Sequence, residues 1–303
     1  VGPTVDAASP ADLERLLALW AAAFPGQPAP DLARALDEGR AVVLRGPDGV
    51  TAAALSSSVD ARPRERRLTL LAADLESWLD AERAATTPGG RLGAGVDYWH
   101  VTVREDAALS LEGVRRAGYA LASRSWGARL DVDDDDLHVL HRRAQAALGR
   151  GLRLHRLDRA DAGPAHRLLR SCRADFPATP ATPPPDHDLD DVVAALTGPG
   201  RVGYGATASA AAGGGGRLVA VTLLEVDEDG RSADTDLTAV AADQRGRGVA
   251  TALKAFAVVD LASRGVRTFR TGGAEVNEAS LRANRRLGYR VEPLWLTWSR
   301  PAG

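Results

Sequence analysis

The feature that most constrains this chain is an internal repeat at about half its length. Arg15-Leu16-Leu17 is followed by Phe24-Pro25, and Arg167-Leu168-Leu169 by Phe176-Pro177, 152 positions later in both cases. Ser9 and Asp161, also 152 apart, stand where a helix N-cap belongs. The helices they would open carry Leu13, Leu16, Leu17 and Trp20 in one copy and Ala165, Leu168, Leu169 and Cys172 in the other. Both sets follow the i, i+3, i+4, i+7 spacing of one buried helical face. A self-similar chain of 303 residues is expected to be two copies of one fold, each able to bury its own core.

Composition narrows the function classes. Hydrophobic residues make up 45% and the net charge is −2, so the chain is globular. It has no general electrostatic reason to bind nucleic acid or an anionic membrane. No run approaches the ~18 uninterrupted apolar residues of a membrane span, and no basic-then-apolar leader is visible. The expectation is a cytoplasmic protein, monomeric or homodimeric. One cysteine, Cys172, excludes a disulfide framework and a thiolate metal cluster. His138 and His141 share a helix face but lack a third ligand, and Asp133 to Asp136 read as favourable charge at a helix start. No metal is expected. Lys254 is the single lysine among 38 basic residues. That usage, with abundant Ala, Gly and Arg, suggests a GC-rich, actinobacterial coding sequence.

Patterning predicts strands near 41–45 and 50–58, a helix near 68–84, a strand near 97–103, a helix near 107–117 and a strand near 119–131. The second half predicts helices near 164–174 and 188–196, with a Pro-rich loop at 177–185 between them. Strands follow near 201–208, 217–227 and 234–242, with Gly213 to Gly216 as a flexible hairpin tip. Then come a helix near 248–264, a strand near 266–271, a helix near 278–287 and a strand near 290–299.

The run from Thr235 to Tyr289 carries the chemistry. An apolar strand ends at Val240-Ala241, and Gln244-Arg245-Gly246-Arg247-Gly248-Val249-Ala250 leads at once into a helix. A glycine-rich turn at a helix N-terminus offers unpaired backbone N–H groups and partial positive charge, a site the size of a pyrophosphate. No G-x-x-x-x-G-K-[S/T] loop occurs, and Gly246-x-Gly248 lacks the third glycine of a dinucleotide fingerprint at Thr251.

The pattern Arg245-x-x-Gly248-x-Ala250 instead resembles the acetyl-coenzyme A signature of the GCN5-related N-acetyltransferases (GNAT). Asn277, Leu281 and Asn284, closed by Leu287-Gly288-Tyr289, are similar to that superfamily's second CoA-contacting helix. The resemblance implies an α+β (mixed α/β) fold of two tandem GNAT-like domains, each a mixed, splayed sheet flanked by helices. The expected division is a degenerate domain at 1–131, a linker helix at 132–151 and a catalytic domain at 152–303. Aligning Val59 with Val240 sets Glu65 on Gly246 and Arg67 on Gly248, which would remove the phosphate site from the first copy. The helix end Arg116-Ala117-Gly118-Tyr119 still resembles Arg286-Leu287-Gly288-Tyr289. Tandem members such as the actinobacterial mycothiol synthases are similar in plan.

The resemblance also implies acetyl-CoA as co-substrate, with Val240, Arg245, Gly246, Arg247, Gly248, Val249, Ala250, Asn277 and Asn284 around it. It implies direct attack of an amine on the thioester, with the carbonyl polarised by a backbone N–H near Val240. An alkylammonium must first lose a proton. Asp234 and Asp236, two apart on one strand face, are the candidate bases, with Glu225 and Glu275 behind them. Asn284 occupies the position where many relatives place a tyrosine acid. An amide cannot serve as an acid, so water or Tyr289 would carry that proton. Lys254 would snorkel toward a CoA phosphate, Cys172 would pack, and one of Trp295 and Trp298 would line an acceptor channel. The acceptor is expected to be a small-molecule amine: an aminosugar, an antibiotic or a biosynthetic intermediate. A peptide amine, or a non-catalytic acyl-CoA sensor or scaffold, remain as alternatives.

Overall fold

The computed structural model describes residues 3–27, 29–59, 62–145, 151–179, 184–209 and 216–302. The expected hairpin tip at Gly213 to Gly215 and part of the Pro-rich loop lie outside the described residues. The chain forms two compact units. Unit 1 contains Val1–Ser125 and Pro293–Gly303; unit 2 contains Trp126–Ala178 and Thr182–Glu292. Compared with the expected division at 131 and 152, the units exchange their ends.

Unit 1 begins with β1 (Thr4–Ala7), α1 (Leu13–Ala23), α2 (Leu32–Asp37), β2 (Ala41–Gly46), β3 (Gly49–Val59) and β4 (Arg62–Ala72). It continues with α3 (Leu75–Thr86), β5 (Tyr98–Arg104), α4 (Ala108–Arg116) and the start of β6 (Ala120–Asp131). The meander β1-β2-β3-β4 is antiparallel, whereas β4 and β5 run parallel. Alternation along the strands builds two cores. Val42 and Leu44 join Trp78 and Trp99 on one face, and Val43 joins Leu16 and Leu36 on the other.

Unit 2 takes the rest of β6, then α5 (Asp134–Gln145), β7 (Leu152–Arg156), α6 (Ala162–Cys172), α7 (Leu189–Thr197), β8 (Arg201–Ala208), β9 (Arg217–Val226) and β10 (Ser232–Val240). α8 (Val249–Ala262), β11 (Thr268–Ala274), α9 (Glu278–Leu287) and β12 (Arg290–Val291) complete it. Its strand order is β7-β8-β9-β10-β11-β6, with β12 on β6. The segment expected as a linker contains α5, whose start is capped by Asp133 accepting from the Asp136 N–H at 2.9 Å; α5 packs on α8.

The predicted strand at 290–299 is two strands. β12 pairs with the later half of β6 in unit 2, through Arg290 opposite Arg129. β13 (Trp295–Pro301) lies in unit 1 between β5 and the first half of β6, antiparallel to both. Each sheet is therefore completed by a strand from the other half of the sequence. Trp295, stacked 6.3 Å from Phe24, and Trp298 both pack inside unit 1.

Two further expectations are corrected. The repeat is real, but its register is 149, not 152: α1 and α6 start at 13 and 162 and end at 23 and 172. Asp12 accepts from the Ser9 N–H at 2.9 Å, and Asp161 accepts from the Asp158 N–H at 3.1 Å, which sets the same 149. Leu17 is exposed while Leu19 is buried, so the matched Arg-Leu-Leu triplets do not superpose. The predicted helix at 68–84 begins only at Leu75, because 62–72 is strand β4. Glu65 and Arg67 therefore lie inside a strand and not at a turn. Glu65 bonds His100 at 2.7 Å and Arg62 at 3.1 Å.

Candidate functional site

The site in unit 2 is built where two parallel strands part. β10 and β11 pair only from Ser232–Thr268 to Asp234–Arg270. β10 then bulges between Thr235 and Leu237, with Asp236 as the extra residue, and β10 and β11 are no longer bonded beyond it. The bulge breaks the two-residue alternation that would have put Asp234 and Asp236 on one face. Asp236 is exposed. Asp234 is half-buried, 3.5 Å from the Arg270 guanidinium, and burial pushes its carboxyl above the usual range against the pull of Arg270.

At its far end β10 passes through a short 3-10 turn (Ala242–Gln244) into Gly246 and Gly248, at φ +70° and +76°. Both are in the left-handed region, where a β-carbon is strained. Gly248 is the N-cap of α8 and supplies no capping side chain. The first N–H groups of α8, from Val249 and Ala250 onward, are thus left for a ligand. A cleft of about 530 Å³ runs from this turn to the splay, lined by Val240, Gly248, Ala250, Lys254, Asn277 and Asn284 among others. A second hollow of about 530 Å³ adjoins the turn, with Leu152, Arg247 and Arg286 in its wall. The structure thus brings together every residue expected around the cofactor; Asp234 and Asp236 stand on the strand that leads into the cleft.

Several roles differ from expectation. Arg245 folds back onto the protein: Nε donates to the Val240 carbonyl at 2.8 Å, and Nη2 donates to Asp175 at 2.7 Å and to Cys172 Sγ at 3.6 Å. It holds the turn against the strand end, and the ion pair keeps the Asp175 carboxyl below its usual range. Cys172 is buried as expected, but its thiol also donates to the Val240 carbonyl at 3.5 Å. Asn277 caps α9, accepting from the Ser280 N–H at 3.2 Å.

Lys254 is the largest departure. It does not snorkel outward; it is buried, with Nζ donating to Asn284 Oδ1 at 2.6 Å and Thr271 Oγ1 at 3.2 Å, 5.5 Å from the Tyr289 ring. Burial lowers its pKa to about 7. Asn284 is fixed in turn, since Nδ2 donates to the Ser280 carbonyl at 3.1 Å. Tyr289 is buried, which pushes its hydroxyl well above 10 and makes it a poorer acid than a free phenol. Sequence reasoning missed the Arg245–Asp175–Cys172 clamp and the burial of Lys254. The signal for the second was present: Lys254 follows Leu253 on a helix whose neighbours Ala252 and Ala255 are apolar.

Among the described residues, no group of three His, Cys, Asp or Glu is placed to hold a metal, and no helix is long and apolar enough to cross a membrane. No protein-family model and no curated protein matches the sequence. Solved structures do match it. A GCN5-related N-acetyltransferase from Sphaerobacter thermophilus is 17% identical over 99% of this chain and 96% of its own, with a TM-score of 0.69. A tandem GNAT protein from the clavulanic acid biosynthesis pathway is 18% identical over 100% and 98%, with a TM-score of 0.62. A GCN5-related glucosamine N-acetyltransferase region of a fungal multi-domain β-N-acetylglucosaminidase is 16% identical over 98% of this chain and 38% of its own, with a TM-score of 0.65. Strand order, splay, uncapped turn and these likenesses together identify the chain as having the tandem fold of the GCN5-related N-acetyltransferases.

Proposed function

We propose that unit 2 is an acetyl-CoA-dependent N-acetyltransferase acting on a primary amine of a small molecule, and that unit 1 is a degenerate copy. One observation carries the reading: a helix N-terminus left open by Gly248, at the end of a strand that has parted from its parallel neighbour. The residues fit the cofactor. The α8 N–H groups would receive the pyrophosphate, with Arg247 and Arg286 beside it. The pantetheine arm would run along Thr238 to Val240 toward the splay.

The acceptor ammonium would lose a proton to Asp234, directly or through water. Its raised carboxyl is a better base than an ordinary aspartate, and it stands on the strand leading to the splay. The amine lone pair then attacks the thioester carbonyl, and the C–S bond breaks. An aminosugar heads the list of acceptors, since a neighbour of similar fold is named for glucosamine acetylation.

The test is a thermal shift with acetyl-CoA, followed by free-thiol release against amines headed by glucosamine and aminoglycosides. Stabilisation by acetyl-CoA with turnover of one amine is the expected result. Absence of any shift removes the reading, and tight binding without turnover across the panel makes the protein an acyl-CoA sensor.

A further inference from the structure

Lys254 is a cation that the proposed mechanism does not use, and its placement is costly. A buried ammonium is expensive unless a charge partner offsets the lost water. Among the described residues Lys254 has none: its bonds go to an amide, a hydroxyl and an aromatic face. The charged groups lining the same cleft, Asp175, Arg245, Arg282 and Arg286, make no hydrogen bond to it. Burial is the whole cause of its lowered pKa, which leaves it part protonated and part neutral near neutral pH.

Its place in the fold matches one chemical need. Thr271, which it touches, is the first β11 residue beyond the last β10–β11 pair at Arg270. Nζ therefore sits at the opening of the splay, beside the cleft wall. Asn284 cannot donate an acidic proton, and Tyr289 is buried with its hydroxyl held high. A thiolate leaving there would meet Lys254 as the most acidic donor among these three.

We propose that Lys254, aimed by Asn284, is the acid that protonates the departing thiolate. The step balances. As the amine nitrogen bonds to the carbonyl carbon, the C–S pair moves to sulfur, and sulfur takes a proton from Nζ. A free thiol and a neutral Lys254 result; the first amine proton has gone to the base, the acylated nitrogen releases its second to solvent to give the amide, and Lys254 is recharged from water. The inference rests on the acetyltransferase reading of this cleft.

The experiment uses the chain's single lysine. The full chain carrying 13Cε-lysine gives one side-chain resonance, which is titrated free, with CoA, and with desulfo-CoA, where hydrogen replaces the thiol. The expected midpoint is near 7 in the free protein, raised by more than one unit with CoA but not with desulfo-CoA, because only CoA offers a thiolate to pair with. A midpoint near 10, or equal responses to the two ligands while both bind, overturns the assignment and leaves the CoA site standing. Failure of both to bind removes the CoA site and the inference with it. Rates supply the second arm. Lys254→Met should lower kcat for thiol release by about 100-fold, abolish its decline above pH 7 and leave KM for acetyl-CoA within about threefold. A rise in KM with the pH limb unchanged would make Lys254 a structural residue only. Asn284→Asp, which sets a carboxylate against Nζ, should move both the resonance midpoint and the pH limb upward together; movement of the midpoint alone would sever Lys254 from the chemistry.

Discussion

The two strand-to-helix turns of this protein start from the same scaffold and reach opposite ends. In unit 1, β4 stops at Ala72 and α3 starts at Leu75, with only Ala73 and Asp74 between. The Asp74 carboxylate accepts from the Ser77 N–H at 2.8 Å and fills the helix start with the protein's own negative charge. In unit 2, β10 stops at Val240 and α8 starts at Val249, and the residue at the cap is a glycine. The parallel strands part in both units, after Leu68–Val101 in one and after Asp234–Arg270 in the other. Splaying is therefore common to the fold. What separates the units is the helix N-terminus: a side chain fills it in one, and a glycine leaves it without a capping side chain in the other.

Giving unit 2 the cap of unit 1 should erase that difference. Gly248→Asp puts a carboxylate on the α8 N-terminus and a β-carbon at φ +76°. Acetyl-CoA affinity should fall at least about 100-fold, or about 2.7 kcal/mol, read by calorimetry or by loss of the thermal shift. Unchanged affinity would mean the phosphates bind elsewhere.

Lys254 gives the next largest effect, on stability. Its pKa is about 7 folded against an ordinary 10.5 unfolded. Between those values the unfolded chain holds a proton that the folded chain lacks, so this group makes stability rise with pH from 7 to about 10. Below 7 the penalty is complete. Lys254→Met should therefore melt at least about 5 °C higher than the parent at pH 6, with the gap closing by pH 10. Calorimetric scans at pH 6, 8 and 10 check it, and a constant gap would contradict the sign.

Arg245→Ala should cost about 1 kcal/mol in urea unfolding and about tenfold in acetyl-CoA affinity. Arg245 is partly exposed, so solvent screens its pair with Asp175, and its main work is holding the turn to the Val240 carbonyl. A large loss of affinity with no loss of stability would restore Arg245 as a direct phosphate ligand. The smallest effect belongs to Asp74→Ala, which should lose about 1 kcal/mol of capping energy by urea unfolding. It should leave the acetyl-CoA shift unchanged; a second, additive shift would show that unit 1 had been only one residue from binding.

Local signals made the unit 2 turn legible. Glycines with positive φ, an apolar strand before them and a helical stripe after them all lie within thirty residues of sequence. β4 was not legible, because Arg62 to Arg67 looks like polar loop and Leu68 to Leu71 like a helix start. Its strand character comes from the ladder with β3 and the parallel pairing with β5. The 152 offset shows how a triplet match can mislead when a buried face is set by contacts: Leu19, not Leu17, meets the core. Lys254 has apolar neighbours in sequence, but what buries it is the packing of α5 and α9 around α8, which lies outside any local pattern.

The exchange of β6 and β13 has a consequence for how the protein is made. On a ribosome, β5 and β6 emerge long before β13, which must pair with both of them. Unit 1 cannot close its sheet until residue 301 has been added and released, so nearly all of unit 2 is synthesised while unit 1 holds open edges. All of unit 2 through Glu292 is thus synthesised before the last strand of unit 1, the copy that emerges first.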